Sequence, residues 1–368
     1  MAADRFLKRA LAVDRVHRWP APTGRCKKIR LDLNENGAPL DEQLGELLGS
    51  SNNFLVGGYP EYDDLLDRLT EYTGRPQPEI TLTNGADQAI DLVLRLLFGP
   101  GDTVVVPSPV FSYYYHVLDL ASVDTVTPLF RRDGQEFAFP LDETLRPLAG
   151  ADGLVLCHPN NPLGAAVPAA TLTTLIERTA ELRIPCIVDE AYFEYCGSTV
   201  AHLLSEHPQL IVIRSFSKFF GLAGLRLGYV LAAPSISADL LKMRGPWDVN
   251  HVAVQAAEVC LRRRDAFFES ARRLGRNKAA LLEFLRRHAV DVADTSTNFL
   301  LLPRRGDADL RAHFDGFDIL ASDLTGYPHS GGLLDGMTRI AVADTEDMPA
   351  LASALAGYYG ITGGGSFR

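Results

Sequence analysis

A chain of 368 residues, 46% hydrophobic and 22% charged, has room for one large domain and a smaller one, because single cores stop growing at roughly 250–300 residues. Its formal net charge of -10 argues against nucleic acid, whose phosphates need a basic face, and no apolar run reaches the roughly 20 residues of a membrane helix. The N-terminus shows no apolar core with a cleavage site, and five scattered cysteines never form a C-x-x-C pair, so a cytoplasmic protein with reduced thiols and no metal site is expected.

From residue 80 onward, short apolar runs alternate with helical periods. Residues 80–83 read as a strand and 86–98 as a helix with Ile90, Val93, Leu94 and Leu97 on one face, stopped by Gly99-Pro100-Gly101-Asp102. A β-branched strand follows at 103–107, then a helix at 113–120 and a strand at 123–128. Next come a strand at 153–157, a helix at 168–182, and strands at 185–189 and 210–214. Apolar strands separated by helices predict an α/β fold, with a mostly parallel sheet between helices. After Pro246 the pattern changes to long Arg-rich amphipathic stretches over 251–288, strands at 297–302, 317–320 and 337–343, and a last helix at 347–358. The expected organisation is an N-terminal segment 1–50 joining a small domain, a large domain 51–245, the small α+β domain 246–360 and a flexible tail 361–368.

Several residues sit where strands end and could carry chemistry. Ser215-Phe216-Ser217-Lys218 follows the strand 210–214, and Lys218 is the single lysine between Lys28 and Lys242 in a chain that otherwise uses arginine. Arg226 lies just beyond, in a run of small residues that lets backbone approach a ligand. Asp189 ends the strand 185–189 and is followed by Glu190-Ala191-Tyr192; a carboxylate there is costly unless paired. Asn161 sits in the turn after strand 153–157, and Gly85, Ala86 and Asp87 open a helix whose free N–H groups suit a phosphate. Phe111, Tyr113, Tyr114 and Tyr115 could stack on a planar ring. Each has an ordinary alternative: a surface lysine, a plain glycine turn, an Asp189 helix cap, an Asn turn, a core aromatic stripe. Together they match the demands of pyridoxal 5′-phosphate: an amine for the imine, an acid for the pyridine nitrogen, donors for the ring oxygen and a phosphate cradle.

In order and spacing these segments resemble fold-type I pyridoxal-phosphate enzymes of the class I/II aminotransferase superfamily, most closely the histidinol-phosphate aminotransferase branch. The markers are Leu31-Asp32-Leu33-Asn34-Glu35-Asn36, Tyr59-Pro60, Asn84-Gly85-Ala86-Asp87, Pro159-Asn160-Asn161-Pro162, Asp189-Glu190-Ala191-Tyr192, Ser215-Phe216-Ser217-Lys218 with Arg226, and Arg339. The resemblance implies that Lys218 carries the cofactor and shuttles the α-proton, while Asp189 pairs with the pyridine nitrogen. It implies that Asn161 and Tyr192 hold the ring oxygen and that Phe111 stacks on the ring. Gly85, Ala86, Asp87, Ser215, Ser217 and Arg226 would form the phosphate cradle. Tyr59 would reach the neighbouring subunit's phosphate in a homodimer. Arg339 would clamp the substrate carboxylate, and Asn34 would lie in the segment covering the pocket.

Departures from that pattern bear on the substrate. Ala321-Ser322 stands where the branch usually has an arginine for the substrate phosphate, and Leu163 replaces a threonine. Gly37 replaces a proline, and Trp247-Asp248-Val249-Asn250 puts an acid where an amide is common. An acid gained and a base lost point to an unphosphorylated amino acid and a 2-oxo acid, with a polar or cationic side chain facing Asp248 and Asn250. The same motifs also serve decarboxylases, cyclases, eliminases and oxidases, and some non-catalytic pyridoxal-phosphate-binding regulators share the fold.

Overall fold

A computed structural model of the chain describes Val16 and residues 23–37, 42–49 and 57–361. The predicted tail lies almost wholly outside these residues, as does much of the segment 1–50.

The strands in chain order are β1 (Ile29–Arg30), β2 (Ile80–Thr83), β3 (Thr103–Val105), β4 (Asp124–Val126), β5 (Arg131–Asp133), β6 (Glu136–Ala138) and β7 (Gly153–Cys157). They continue with β8 (Cys186–Asp189), β9 (Leu210–Ser215), β10 (Gly228–Ala232), β11 (Phe299–Pro303), β12 (Ile319–Leu320), β13 (Ser322–Asp323) and β14 (Met337–Ala341). Seven of them form the central sheet in the order β2-β10-β9-β8-β7-β3-β4. All run in one direction except β10, which is antiparallel to both neighbours.

Strand alternation decides which way each side chain points. Leu154, Leu156, Cys186, Val188, Leu210 and Val212 pack into one core, on one face of the sheet. Val155, Cys157, Ile187, Ile211 and Ile213 pack into a second core with the helix Gly85–Leu97, on the other face. Asp189 is two residues beyond Ile187 and shares that second face, whereas Glu190 turns the opposite way. There Glu190 accepts from Arg214 Nε and Nη2 at 3.0 and 2.9 Å and from the Val200 amide at 2.6 Å. Two adjacent buried carboxylates are thus sent to opposite sides, and the structural one is fully paired.

The parallel strands β7, β8 and β9 end on one edge, with Cys157 opposite Asp189 and Gly228 opposite Ser215. Strand β10 was not legible in the sequence: its five residues follow a glycine-rich turn and are buried on both faces, so no alternation marks it. Gly228 has a definite reason. A Cβ there would stand 2.8 Å from the Ala86 nitrogen and from the Arg214 and Gly85 backbone. Gly228→Ala is therefore expected to destabilise the protein by about 1–3 kcal/mol, read as a lower urea midpoint at unchanged slope.

The C-terminal part carries a three-stranded sheet β11-β14-β13, packed against the helices Arg264–Arg287 and Met348–Tyr359. Strand β1 pairs in parallel with β12, and the Ala341 amide donates to the Leu31 carbonyl at 2.8 Å, so the segment 29–31 is built into this core. The amphipathic stretches expected over 251–288 are two helices, His251–Arg262 and Arg264–Arg287, divided at Arg263. The first is buried on most sides and the second along one stripe, so one periodic pattern could not describe both. A hairpin of β5 and β6 was also not foreseen.

Candidate active site

A cavity of about 470 Å³ opens at the carboxyl edge of the central sheet, where open α/β sheets place their ligands. From the sheet side it is lined by Cys157, Asp189, Ser215 and Ser217, each at or just past the end of its strand. The helix Gly85–Leu97 contributes Ala86, Asp87 and Ile90 from its first turns. Phe111 and Ser112 close one side, and Arg339 of β14 with Tyr327 closes another. Leu33, Asn34 and Glu35 cover it.

Lys218 reaches into this space, and its ammonium donates to the Leu33 carbonyl at 2.9 Å. Enclosure by protein, helped by the Arg339 charge, lowers its pKa to about 8. An amine poised there is deprotonated far more readily than a surface lysine.

Asp189 is 3% exposed. Its Oδ1 accepts from the Ala191 amide at 3.0 Å and its Oδ2 from the Tyr114 hydroxyl at 3.1 Å. Desolvation nevertheless raises its pKa to about 6, because those two hydrogen bonds do not offset the loss of water. A cation facing this carboxylate would relieve it.

At the other end of the cavity, Arg226 Nη2 donates to Asp87 Oδ2 at 2.8 Å and Nη1 lies 3.5 Å from Ser217 Oγ. Gly85 has φ +79, and a Cβ on it would sit 2.5 Å from Arg226 Nη2. The glycine therefore lets the guanidinium lie against the start of the helix, where backbone N–H groups and side-chain hydroxyls converge on any anion.

Between these two ends, Tyr192 and Asn161 face the same space. The Tyr192 hydroxyl accepts from Asn34 Nδ2 at 2.9 Å, and Asn161 Oδ1 accepts from Arg339 Nη1 at 2.6 Å. Burial raises the Tyr192 pKa, so its proton is retained and available for donation. Arg339 Nη2 also donates to the Asp32 carbonyl at 3.0 Å, and its position in β14 is opposite Ser322 in β13.

The residues expected from sequence divide clearly. Ala86, Asp87, Phe111, Asn161, Asp189 and Tyr192 share one cavity with Ser215, Ser217, Lys218, Arg226, Arg339 and Asn34. Gly85 lies beneath Arg226, outside the lining. Tyr59 is 73% exposed and stacks on Trp247 with ring centroids 4.5 Å apart, away from this chain's own cavity. Asp248 and Asn250 do not line this chain's own cavity. Asp248 pairs with Arg244 at 3.1 Å and accepts from Gln88 Nε2 at 2.9 Å, so its charge is committed outside the cavity. Asn250 caps the helix His251–Arg262, accepting from the Ala253 amide at 2.8 Å and donating to the Leu225 carbonyl at 3.0 Å. Its N-cap position was a recoverable signal.

Two contributors escaped the sequence reading. Tyr114 stood in the aromatic run only as one of four candidates for stacking, and only the fold shows its hydroxyl on Asp189. Tyr327 lies in a loop, where its hydroxyl accepts from the Ser112 amide and donates to the Val110 carbonyl, each at 3.1 Å. Nothing local marks it.

This donor set fits pyridoxal phosphate: an uncompensated buried carboxylate, a lysine with a lowered pKa, two ring-oxygen donors and an arginine-lined helix start in one cavity. Residues 27–355 match the family described as aminotransferase class I and II. A histidinol-phosphate aminotransferase of Desulfitobacterium hafniense is 32% identical over 336 residues, 89% of this chain and 91% of that protein. Among solved structures, the Sinorhizobium meliloti histidinol-phosphate aminotransferase in complex with pyridoxal-5′-phosphate superposes with a TM-score of 0.83, at 21% identity, covering 95% of this chain and 96% of that one. The L-threonine-O-3-phosphate decarboxylase of Porphyromonas gingivalis superposes with a TM-score of 0.75, at 21% identity, covering 90% of this chain and 99% of that one, so the fold by itself does not choose the reaction. The family match does: the chain belongs to the pyridoxal-phosphate-dependent class I and II aminotransferases of fold type I, in their histidinol-phosphate aminotransferase branch.

Proposed function

We propose that this aminotransferase moves an amino group between an unphosphorylated amino acid and a 2-oxo acid. When bound, pyridoxal phosphate supplies the electron sink that weakens bonds at the substrate α-carbon. The Lys218 amine would hold the cofactor and would take and return the substrate's α-proton. Asp189 would hold a proton on the pyridine nitrogen, and Tyr192 and Asn161 would donate to the ring oxygen. Phe111 stacks on the ring. Gly85, Ala86, Ser215, Ser217 and Arg226 would anchor the phosphate, with Asp87 holding Arg226 beside them, and Tyr59, exposed beside Trp247, would reach the partner's site in a homodimer. Residues 51–245 hold the cofactor, and 246–360 with the N-terminal segment bring Arg339 to it.

The observation that carries the substrate class is the setting of Arg339. Its guanidinium faces Ser322 across the β13–β14 pair, with Ser322 Oγ 3.5 Å from Nη2, so this pair presents one guanidinium instead of two. Cavity-lining charge is balanced, with Lys218, Arg226 and Arg339 against Glu35, Asp87 and Asp189, and Arg226 is already engaged by Asp87. One guanidinium that has no carboxylate partner among the described residues suits a substrate carboxylate; a phosphate dianion calls for more. The curated relatives carry a name that specifies a phosphorylated substrate, and the proposal departs from that name on the setting of Arg339 and Ser322.

The test is near-visible spectroscopy of the loaded enzyme against single amino acids and histidinol phosphate. A free amino acid should bleach the band and a 2-oxo acid restore it. Preference for histidinol phosphate over every free amino acid would sink the proposal. Arg339→Lys keeps the charge but loses the planar fork. It is expected to raise KM for the amino donor by on the order of 10²-fold, with a smaller fall in kcat.

A further inference from the structure

The segment 31–36 touches a different functional group at nearly every residue. The Asp32 carbonyl accepts from Arg339, the Leu33 carbonyl from Lys218, and the Asn34 amide donates to Tyr192. Asn36 Nδ2 donates to the Phe219 carbonyl, one residue past Lys218, at 2.8 Å.

Asn34 is the unusual member. It is 1% exposed and its backbone is left-handed, with φ +53, a conformation Asn tolerates better than most residues. Its carbonyl is held by Asn298 Nδ2 at 3.2 Å. Its own Oδ1 is buried without a hydrogen-bond partner. A buried, unsatisfied amide oxygen costs free energy, so the arrangement gains only from where it sends the Nδ2 hydrogens. One of them goes to the Tyr192 hydroxyl, whose ring is fixed edge-on against Phe299 at 5.7 Å between centroids.

A phenol has one proton to give and lone pairs to receive. If Asn34 presented its oxygen instead, Tyr192 would spend its proton on Asn34. With the amide N–H on the phenolic oxygen, the proton is left for a different acceptor, and donation into the oxygen strengthens it as a donor.

We propose that Asn34 is a positioning residue that fixes the polarity of the Tyr192 hydroxyl, turning its proton toward the ring oxygen of the cofactor. This rests on the assignment of Tyr192 as a ring-oxygen donor. Asn34 need touch neither cofactor nor substrate to do it.

The readout is the pH midpoint of the near-visible band of the cofactor-loaded protein. That midpoint reports how firmly the ring oxygen holds the neighbouring proton on Lys218 Nζ. Fewer donors on the oxygen leave it a better acceptor, so the midpoint rises. Tyr192→Phe should raise it by about one unit or more, the size of a lost hydrogen bond to a charged group. Asn34→Gly, which suits the left-handed backbone, should raise it by a smaller amount, and this increment should vanish when Tyr192→Phe is already present. Asn34→Asp keeps the side-chain shape should the glycine variant fail to fold, and as a carboxylate it competes for the phenolic proton, giving a shift at least as large. Thermal unfolding of each cofactor-free variant checks the fold. If Tyr192→Phe leaves the midpoint unmoved, the assignment of Tyr192 falls and Asn34 with it. If Tyr192→Phe shifts it but the Asn34 variants do not, or shift it equally with and without Tyr192, only the Asn34 role is overturned.

Discussion

Lys218→Ala is expected to lower amine transfer by at least about 10⁴-fold, the upper range for a lost acid–base group, and to abolish the near-visible band of covalently attached cofactor. Both outcomes follow from one atom. Lys218 Nζ is the amine that opens into the cavity beside Asp189, Tyr192 and Arg226, and the other lysine with a pKa lowered to about 8, Lys278, is bonded to the Thr295 and Thr297 carbonyls in a separate cavity. Only a neutral amine can attack the cofactor's aldehyde. With a pKa lowered to about 8, the neutral fraction of Lys218 increases as pH rises through 8. The rate of cofactor attachment to the cofactor-free protein should therefore climb between pH 7 and 9 and then level off. Lys218→Arg, which cannot deprotonate at these pH values, should bind cofactor without the covalent band. A Lys218→Ala protein that still showed the band and still transferred amine would remove the basis of the site.

Asp189→Asn carries the second largest effect. Breaking a buried charge pair costs about 3–5 kcal/mol, which at 1.36 kcal/mol per decade is roughly 10²–10⁴-fold, divided between weaker cofactor binding and slower turnover. Equilibrium dialysis and steady-state rates read the two parts. The cofactor-free protein gives an independent check by pH. The Asp189 pKa is raised to about 6 in the fold and lies near 3.9 in an unfolded chain, so between those values the folded state holds the extra proton. Stability contributed by this group is therefore present below about pH 4 and is lost as pH rises through 6. The difference in melting temperature between Asp189→Asn and the parent should widen in favour of the variant over that window, and close when the parent binds cofactor. A difference independent of pH would mean that Asp189 is not desolvated as described.

The sequence showed strand ends more clearly than it showed partners. Ile80, Val155, Ile187 and Ile211 lie in buried runs bounded by turn residues, so the parallel sheet and the loops that bear Asp189 and Lys218 could be read directly. Strand β10 could not, because a short strand buried on both faces beside glycines looks like a turn. Arg226 could still be picked out by composition, although the reason it reaches the helix Gly85–Leu97 lies in the antiparallel return of β10. Asp248 has a local partner that the sequence reading passed over. An acid at an unexpected place invites a ligand, but its counter-charge was Arg244, four residues away and equally visible in the sequence. Tyr114 and Tyr327 were missed because their roles depend on contacts across 75 and 215–217 residues, which local pattern cannot convey.

The strand pairing at Cys157, Asp189, Ser215 and Gly228 makes the chemistry of this site a matter of parity. Asp189 faces the cavity because it is two residues from Ile187 and stands opposite Ile213 in the ladder, and Glu190, one residue further, faces Arg214. The three positions before Asp189 can vary in side chain, within the volume of the core, without moving the carboxylate. They cannot vary in number. One residue more or fewer in β8 would turn Glu190 toward the cavity and Asp189 away from it, with every local preference still satisfied. Substitution within these strands is therefore tolerated better than insertion or deletion.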